Sequence, residues 1–387
     1  MAGTDPVAEL PWDDPYPGYH RLRALSPVLP LDDGGRLVTS YEACQSVLRD
    51  PSASNDLRHG RTCPAGDLDR FDSFLYRDPP EHTRMRRTVI SVLRSYPIEA
   101  ARNDGARTAA RLLDEVAGRH GMEAVGELAD PLPALLTAQL FGLTGADCEL
   151  IADWARSITL SLEPTMLPKD IRRRVLALYD FADFLRDLIG RRKCAPGPDL
   201  MSRLIQAQTT RGPLDDDEII ATSMLFFAAL FSSAVDILTN MVAALARNPD
   251  QYRRVRADPG LVESAIEEVL RFETPLQVIH RIATADILVE GHPVPAGTRL
   301  TLLLGAANRD PARFKDPDSF DVGRTDNRHL AFGFGLHGCL GVSIARPWAQ
   351  ATLRELISRI PEMLPAGDFT LRPIRAFRGF DVLPVRW

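Results

Sequence analysis

The chain has 387 residues, 45% of them hydrophobic, and 46 Lys and Arg against 52 Asp and Glu give a formal charge of −6. Disorder as the main state is excluded, since it needs low hydrophobicity and high net charge, and a general nucleic-acid binder needs a basic surplus to neutralise phosphates. No run approaches the about 18 consecutive apolar residues of a membrane span, and the start Met-Ala-Gly-Thr-Asp-Pro has neither the basic nor the apolar region of a secretory signal, so a soluble cytoplasmic protein is expected.

Residues 1–75, rich in Pro, Gly and Asp, read as loops, short helices and a little sheet around the strand-like Arg36-Leu37-Val38-Thr39. Asp50 to Asp72 reads as a long polar loop, a type that is usually functional or mobile. Helical periodicity covers Glu81 to Leu93, Ala100 to Ala117, Pro131 to Leu143, Ala146 to Leu162 and Pro168 to Ile189. The clearest helix starts at Asp215-Asp216-Asp217-Glu218, where acids suit the positive end of the helix dipole, and Asn248-Pro249 stops it after Arg247. Its middle, Ile219 to Leu230, is apolar on almost every side, so it must cross the core of a large domain. A further helix spans Leu261 to Phe272, and short β-type runs follow at Ala285 to Val289, Arg299 to Leu304 and Val382 to Val385. Helices outweigh strands, and no repeat or linker marks a boundary, so residues 1–387 are expected to form one mainly α domain with small β-sheets.

The cysteines are Cys44, Cys63, Cys148, Cys194 and Cys339. Odd in number, scattered and without a CxxC pair, they argue against a zinc site or a disulfide framework. Cys339 sits in Phe332-Gly-Phe-Gly-Leu-His-Gly-Cys-Leu-Gly341. Gly333, Gly335 and Gly338 match a dinucleotide fingerprint, but that reading needs a βαβ unit and a later acid, which this C-terminal position does not offer. The same glycines would let a backbone loop approach a flat ligand. Cys339 then opens the next helix, from Leu340 to Arg354 with Pro347 inside it; a helix N-terminus stabilises a thiolate, a soft ligand for iron. On residues alone, a buried cysteine beside a turn stays open.

The segment Phe332-Gly-x-Gly-x-His-x-Cys339-x-Gly-x-x-x-Ala345-Arg346 resembles the haem-binding loop of the cytochrome P450 family. Glu268-Val-Leu-Arg271 resembles that family's E-x-x-R helix, and Phe320-Asp-x-x-Arg324 its meander. Asp78-Pro-Pro-Glu-His82-Thr-Arg-Met-Arg86-Arg87 is similar to its helix entry at the haem, and Ala306-Ala-Asn-Arg-Asp-Pro311 to a stretch common in bacterial members. Five motifs in the family's order cover nearly the whole chain. The resemblance implies the P450 fold, with haem b buried between the long central helix and the cysteine loop. It implies Cys339 as the axial thiolate to iron, Phe332 and Gly333 as cofactor-binding loop residues, and His82, Arg86, Arg281 and His337 as partners of the haem propionates. Glu268, Arg271 and Arg324 would form a buried structural network.

The long helix departs from the pattern. Many family members carry Ala-Gly-x-Asp/Glu-Thr facing bound oxygen, where this chain has Ala229-Leu230-Phe231-Ser232-Ser233. Ser232 and Ser233 are the candidate catalytic residues: Ser233 keeps a hydroxyl that donates and accepts, whereas Ser232 supplies no charge and mid-helix Ser often bonds back to helix carbonyls. Asp236, one turn on, is either a proton source or a helix-surface acid. The Arg-Pro of peroxide-driven fatty-acid members is absent between Met224 and Asn240.

By the same resemblance the substrate pocket is lined by Phe71, Phe74 and Leu75; Leu160 and Leu162; Phe227, Leu230 and Phe231; Leu276, Val278 and Ile279; and Phe377 and Phe380. Such a lining suits a largely apolar or aromatic small molecule. The expected activity is a haem-thiolate monooxygenase of bacterial secondary metabolism, such as antibiotic biosynthesis. The alternatives are oxidative C–C or C–N coupling and ring closure without oxygen insertion, and a non-catalytic haem-binding auxiliary protein, which retention of Cys339 disfavours. With no flavin or reductase segment visible, electrons are expected from a ferredoxin and ferredoxin reductase, docking near Arg77, Arg84, Arg87 and Arg328. A monomer without membrane or nucleic-acid partners is expected.

Overall fold

The computed structural model describes residues 6–60, 73–161, 168–207, 212 and 214–387. The N-terminal part holds α1 (Tyr16–Leu25), β1 (Val28–Pro30), β2 (Arg36–Val38), α2 (Tyr41–Arg49) and β3 (Ala53–Ser54). The helical part follows: α3 (Glu81–Leu93), α4 (Ile98–Val116), β4 (Gly121–Glu123), α5 (Pro131–Leu140), α6 (Gly145–Ser161), α7 (Pro168–Cys194) and α8 (Leu200–Ala207). Next come α9 (Asp216–Arg247), α10 (Pro249–Ala257), α11 (Val262–Phe272), β5 (Val278–Ala283), β6 (Ile287–Val289), β7 (His292–Val294), β8 (Arg299–Leu303) and α12 (Leu304–Ala307). The chain closes with α13 (Val342–Arg359), β9 (Leu364–Pro365), β10 (Thr370–Leu371), β11 (Phe380–Val382) and β12 (Pro384–Arg386).

Helix α9 is the axis of the molecule. Asp215 accepts from the Glu218 amide and Glu218 reaches back to the Asp215 amide, a capping box that satisfies two amides with no helical partner. From there α9 runs 32 residues and touches α5, α6, α7, α11 and α13. By length and composition it could cross a membrane, but 72% of its most apolar window is buried inside the fold. Each large apolar side chain so buried contributes about 1.5–3 kcal/mol, which accounts for a helix apolar on all sides.

The main sheet has the order β1-β2-β8-β5-β3, antiparallel except for the β2–β8 pair, and aligns Val278–Ile282 of β5 with Arg299–Leu303 of β8. Strands β4, β12 and β9 form a second sheet, and β10–β11 a hairpin. The segment 372–379 between β10 and β11 folds back on the chain after α11: Leu276 bridges Phe377, Gln277 N–H donates to Ala376 O and Arg378 N–H to Pro275 O. Helix α13 begins at Val342, not at Cys339, so the cysteine lies just outside the helix. Sequence periodicity does not anticipate α1, α2, α8, α10 or β5.

Candidate functional site

The cysteine loop is fixed before anything binds to it. Cys339 N–H donates to Phe332 O at 2.8 Å, closing the loop, and Gly333 and Gly335 adopt φ of 65° and 69°, open to glycine without strain. A Cβ on Gly335 would lie 2.3 Å from Leu48 O, so only glycine lets the loop press against the end of α2. Arg346 of α13 stacks on Phe332 at 4.9 Å and donates to Glu267, which also meets His329 at 3.2 Å. Cys339 retains exposed surface. Protein on most sides pushes its thiol up by desolvation, while the Gly341 and Val342 amides and the Arg86 and Arg346 guanidiniums pull it down. These opposing groups favour a thiolate only once something stabilises its charge, as a metal does.

Above the loop stands a cluster of donors. His82 and Arg86 lie one turn apart on α3, Arg281 is on β5, and His337 is in the loop. The His82 and His337 rings stand 4.4 Å apart, and all four of their ring nitrogens are buried without a hydrogen-bond partner. Burial, then the Arg86 guanidinium, lowers His82 to about 4; burial, then Arg281, His82 and Arg86, lowers His337 to about 3. Arg281 donates to Asn55 Oδ1 and His280 O, and burial lowers it to about 10. Arg86 donates to Gly338 O and burial lowers it too. Asp78 is the carboxylate that acts on both His82 and Arg281. Unsatisfied buried donors and desolvated cations beside an exposed cysteine fit a flat ligand that carries carboxylates and a metal.

Beneath the loop lies the opposite arrangement. Arg271 donates twice to Glu268 at 2.8 Å and to the carbonyls of Asn308, Pro317 and Ser319. Glu268 also accepts from Arg324, Asn327 Nδ2 and the Asp321 amide. Glu268 and Arg271 are fully buried, and the expected Glu268–Arg271–Arg324 network is present.

On α9, Leu225, Ala229 and Ser233 keep accessible surface in an otherwise buried stretch, and their i, i+4, i+8 spacing puts them on one face. A methyl group on Gly341 would lie 3.6 Å from Cys339 Sγ and 3.9 Å from Leu230 Cδ2, so Leu230 reaches down to the cysteine. Ser233 therefore lies on this accessible face. Ser232 does not: its Oγ donates to Ala155 O on α6 at 3.5 Å, on the side away from the accessible face. Asp236 is no surface acid but fully buried.

Three expected pocket residues are corrected. The Phe227 ring packs 4.2 Å from that of Phe141 and 5.3 Å from that of Phe181, within the helical core. Phe231 clusters with Ala134, Ala138 and Ala155 of α5 and α6. Phe380 is fully buried against Phe369 and Arg247. Their size draws them into the core, because the largest apolar surfaces gain most from it. Phe74 packs 6.3 Å from His82, and Val278 and Ile279 stay half-buried on β5. Phe71 and Leu162 lie outside the described residues, as does the side chain of Leu160. Sequence reasoning placed Ala229 in the oxygen-site motif but missed Leu225, which the repeat of four-residue spacing back from Ser233 could have found. Arg84 is tied to Glu81 and Glu218 and is no free docking residue, whereas Arg87 is exposed.

Residues 159–360 match the family model for cytochrome P450. The biotin biosynthesis cytochrome P450 of Bacillus subtilis is 32% identical over 96% of this chain and 96% of its own length. The 6-deoxyerythronolide B hydroxylase of Saccharopolyspora erythraea is 32% identical, again over 96% of each chain. Among solved structures, P450BioI in complex with an acyl carrier protein ligated to hexadec-9Z-enoic acid superposes with a TM-score of 0.91 at 31% identity, covering 97% of this chain and 99% of that one.

Proposed function

Because the chain belongs to the cytochrome P450 family of monooxygenase-type oxidoreductases, whose cofactor is haem b on an axial cysteine thiolate, we propose that it oxidises a largely apolar or aromatic small molecule, taking electrons from a ferredoxin and ferredoxin reductase. The observation that carries this reading is Cys339, exposed at the end of a pinned loop beside Arg86, Arg281 and the His82 and His337 rings, whose ring nitrogens are buried without a partner. When bound, the haem supplies dioxygen activation, since thiolate ligation favours O–O cleavage.

The chain's own residues do the rest. Cys339 is the metal ligand, Phe332 and Gly333 shape its loop, and His82, Arg86, Arg281 and His337 hold the propionates by charge-assisted hydrogen bonds. Leu225, Ala229 and Leu230 give the α9 wall an apolar surface that excludes water, joined by Phe74, Val278 and Ile279 at the periphery. Ser233, the hydroxyl on the accessible α9 face, orients a proton at the reacting centre. Arg87, next in sequence to a loop-contacting arginine, and the exposed Phe334 and Leu336 of the cysteine loop form an apolar and basic face for an acidic ferredoxin. Residues 1–387 act as one cytoplasmic domain in bacterial secondary metabolism, the setting suggested by the hydroxylase relative.

One observation favours a second reading. Leu230 stands where many members have glycine and Ser232 faces away, so the position before Ser233, where many members carry an acid, brings none to the accessible face of α9. Oxidative C–C or C–N coupling or ring closure, which inserts no oxygen, asks less of that face. The test is a titration of ferric protein with apolar, aromatic and cyclic-peptide compounds while the Soret band is followed. A saturable low-spin to high-spin shift is expected, and isotope-labelled dioxygen then separates insertion from coupling. Absence of a thiolate-type haem band would overturn both readings.

A further inference from the structure

One buried group is used by neither the cysteine loop nor the donor cluster. Asp236 is fully buried on α9, at i+7 from Ala229 and i+3 from Ser233, so it continues the face that carries the accessible stripe. Its Oδ1 accepts from Arg372 Nη1 at 2.9 Å, and its Oδ2 is buried with no hydrogen-bond partner. The carboxylate fits because residue 379 is glycine: a Cβ there would lie 2.1 Å from Oδ1. Arg372 also meets Asp381 at 3.1 Å, and the Arg372 side chain is 20% exposed and that of Asp381 47%. A line of polar groups thus runs from the surface at Asp381, past Arg372, to Asp236, and from there one helical turn to Ser233.

A buried carboxylate with one oxygen left unsatisfied is costly, and burial raises Asp236 to about 7 against the lowering pull of Arg372, with Asp130 at the start of α5 and Asp381 raising it further. A group poised there holds a proton or releases it at neutral pH.

We propose that Asp236 is the carboxylate that supplies protons to Ser233 in this protein, clamped by Arg372 in the space that Gly379 leaves open. This rests on the haem-thiolate reading above. Monooxygenation consumes one dioxygen, two electrons and two protons, and yields the oxygenated product and one water. For each proton, the Asp236 O–H bond breaks as Ser233 Oγ accepts directly or through one water, and Ser233 releases its own proton to the reacting oxygen. Solvent entering past Arg372 and Asp381 restores the acid. The acid position is thereby moved from the residue before Ser233 to the residue one turn after it.

The test uses holoprotein films on an electrode, which need neither substrate nor redox partner. Dioxygen-reduction current is read against pH and in heavy water, and carbon-monoxide spectra and pH-difference infrared spectra are recorded. In the wild-type protein the current is expected to fall as pH rises through about 7, tracking a carboxyl band. Asp236→Asn should lower the current about tenfold, raise the solvent isotope effect, flatten the pH profile and remove the carboxyl band, with the thiolate-type carbon-monoxide spectrum intact. Arg372→Gln breaks the same ion pair but keeps the acid, so its profile should shift to higher pH without flattening. An intact spectrum with wild-type current, isotope effect and pH profile in Asp236→Asn overturns the relay alone. Equal flattening by Arg372→Gln also overturns it, in favour of a merely structural clamp. A wild-type protein without the thiolate-type spectrum overturns the haem-thiolate reading and the relay together.

Discussion

Two ionic clusters flank the cysteine loop, and they are built on opposite rules. In the Glu268 cluster each carboxylate oxygen faces guanidinium, amide or backbone donors, and Arg271 spends its remaining donors on three carbonyls. In the His82–His337 cluster four ring nitrogens have no partner, and the neighbouring cations are destabilised by burial. A closed network holds shape. An open one, kept buried at a cost, is specified for a ligand that brings the missing acceptors. Both clusters are polar and buried, so burial and charge alone would not have told scaffold from site; the count of unmet donors does.

The largest effect should come from opening the closed cluster. Glu268→Ala leaves Arg271 and Arg324 without their shared carboxylate at a buried site, an expected loss of about 3–5 kcal/mol; little haem-loaded protein should be recovered, as read from the haem-to-protein absorbance ratio. Closing the open cluster is the converse. Arg281→Leu removes a desolvated cation from the donor set, so haem transfer to an acceptor apoprotein should quicken by an amount equal to one charged hydrogen bond, about 1.5–3 kcal/mol, while the apoprotein's melting temperature holds or rises. A falling apoprotein melting temperature would make Arg281 scaffold instead.

Asp236 lies between the two types, with one oxygen met and one unmet. Its pKa is raised, to about 7, so the folded state holds a proton that the unfolded chain has already lost. Stability therefore falls as pH rises from about 4 to 7, by at most about 1.4 kcal/mol per pH unit, and is level above that. Asp236→Asn should remove this slope from the pH dependence of chemical denaturation. The smallest effect belongs to the surface: Arg87→Glu should slow reduction by ferredoxin three- to tenfold, about 1 kcal/mol, and leave haem content unchanged. Arg84→Glu, by contrast, would break the contact between α3 and Glu218 and report on packing.

Legibility in the sequence followed the same division. Features fixed by short spacing were visible: the cysteine loop, the Glu268–Arg271 pair three residues apart, and α9 with its acidic start and its stop at Asn248-Pro249. Features fixed by what packs where were not. Phe227, Phe231 and Phe380 read as pocket aromatics, yet α5, α6 and Phe369 claim them, and the accessible face fell to small Ala229 and Ser233. Strand β5 was missed because His280 and Arg281 interrupt its apolar run and its partner β8 lies a hairpin away. Ser232 bonds to a carbonyl, as mid-helix serines do, but the carbonyl belongs to a neighbouring helix that its own sequence cannot announce.

The segment 372–379 carries arginine at every third position, and two of these reach the other end of the chain. Arg375 donates to Val7 O and Leu10 O, and Arg378 donates to Asp13 O as well as pairing with Glu273. The third, Arg372, clamps Asp236. Residues 7–13 thus act as a splint for a turn more than 350 positions away, and trimming the chain back to Asp14 would strip three backbone acceptors from that turn. Changes at the amino end, far from any chemistry, become a means of tuning how stiffly the back of α9 is held.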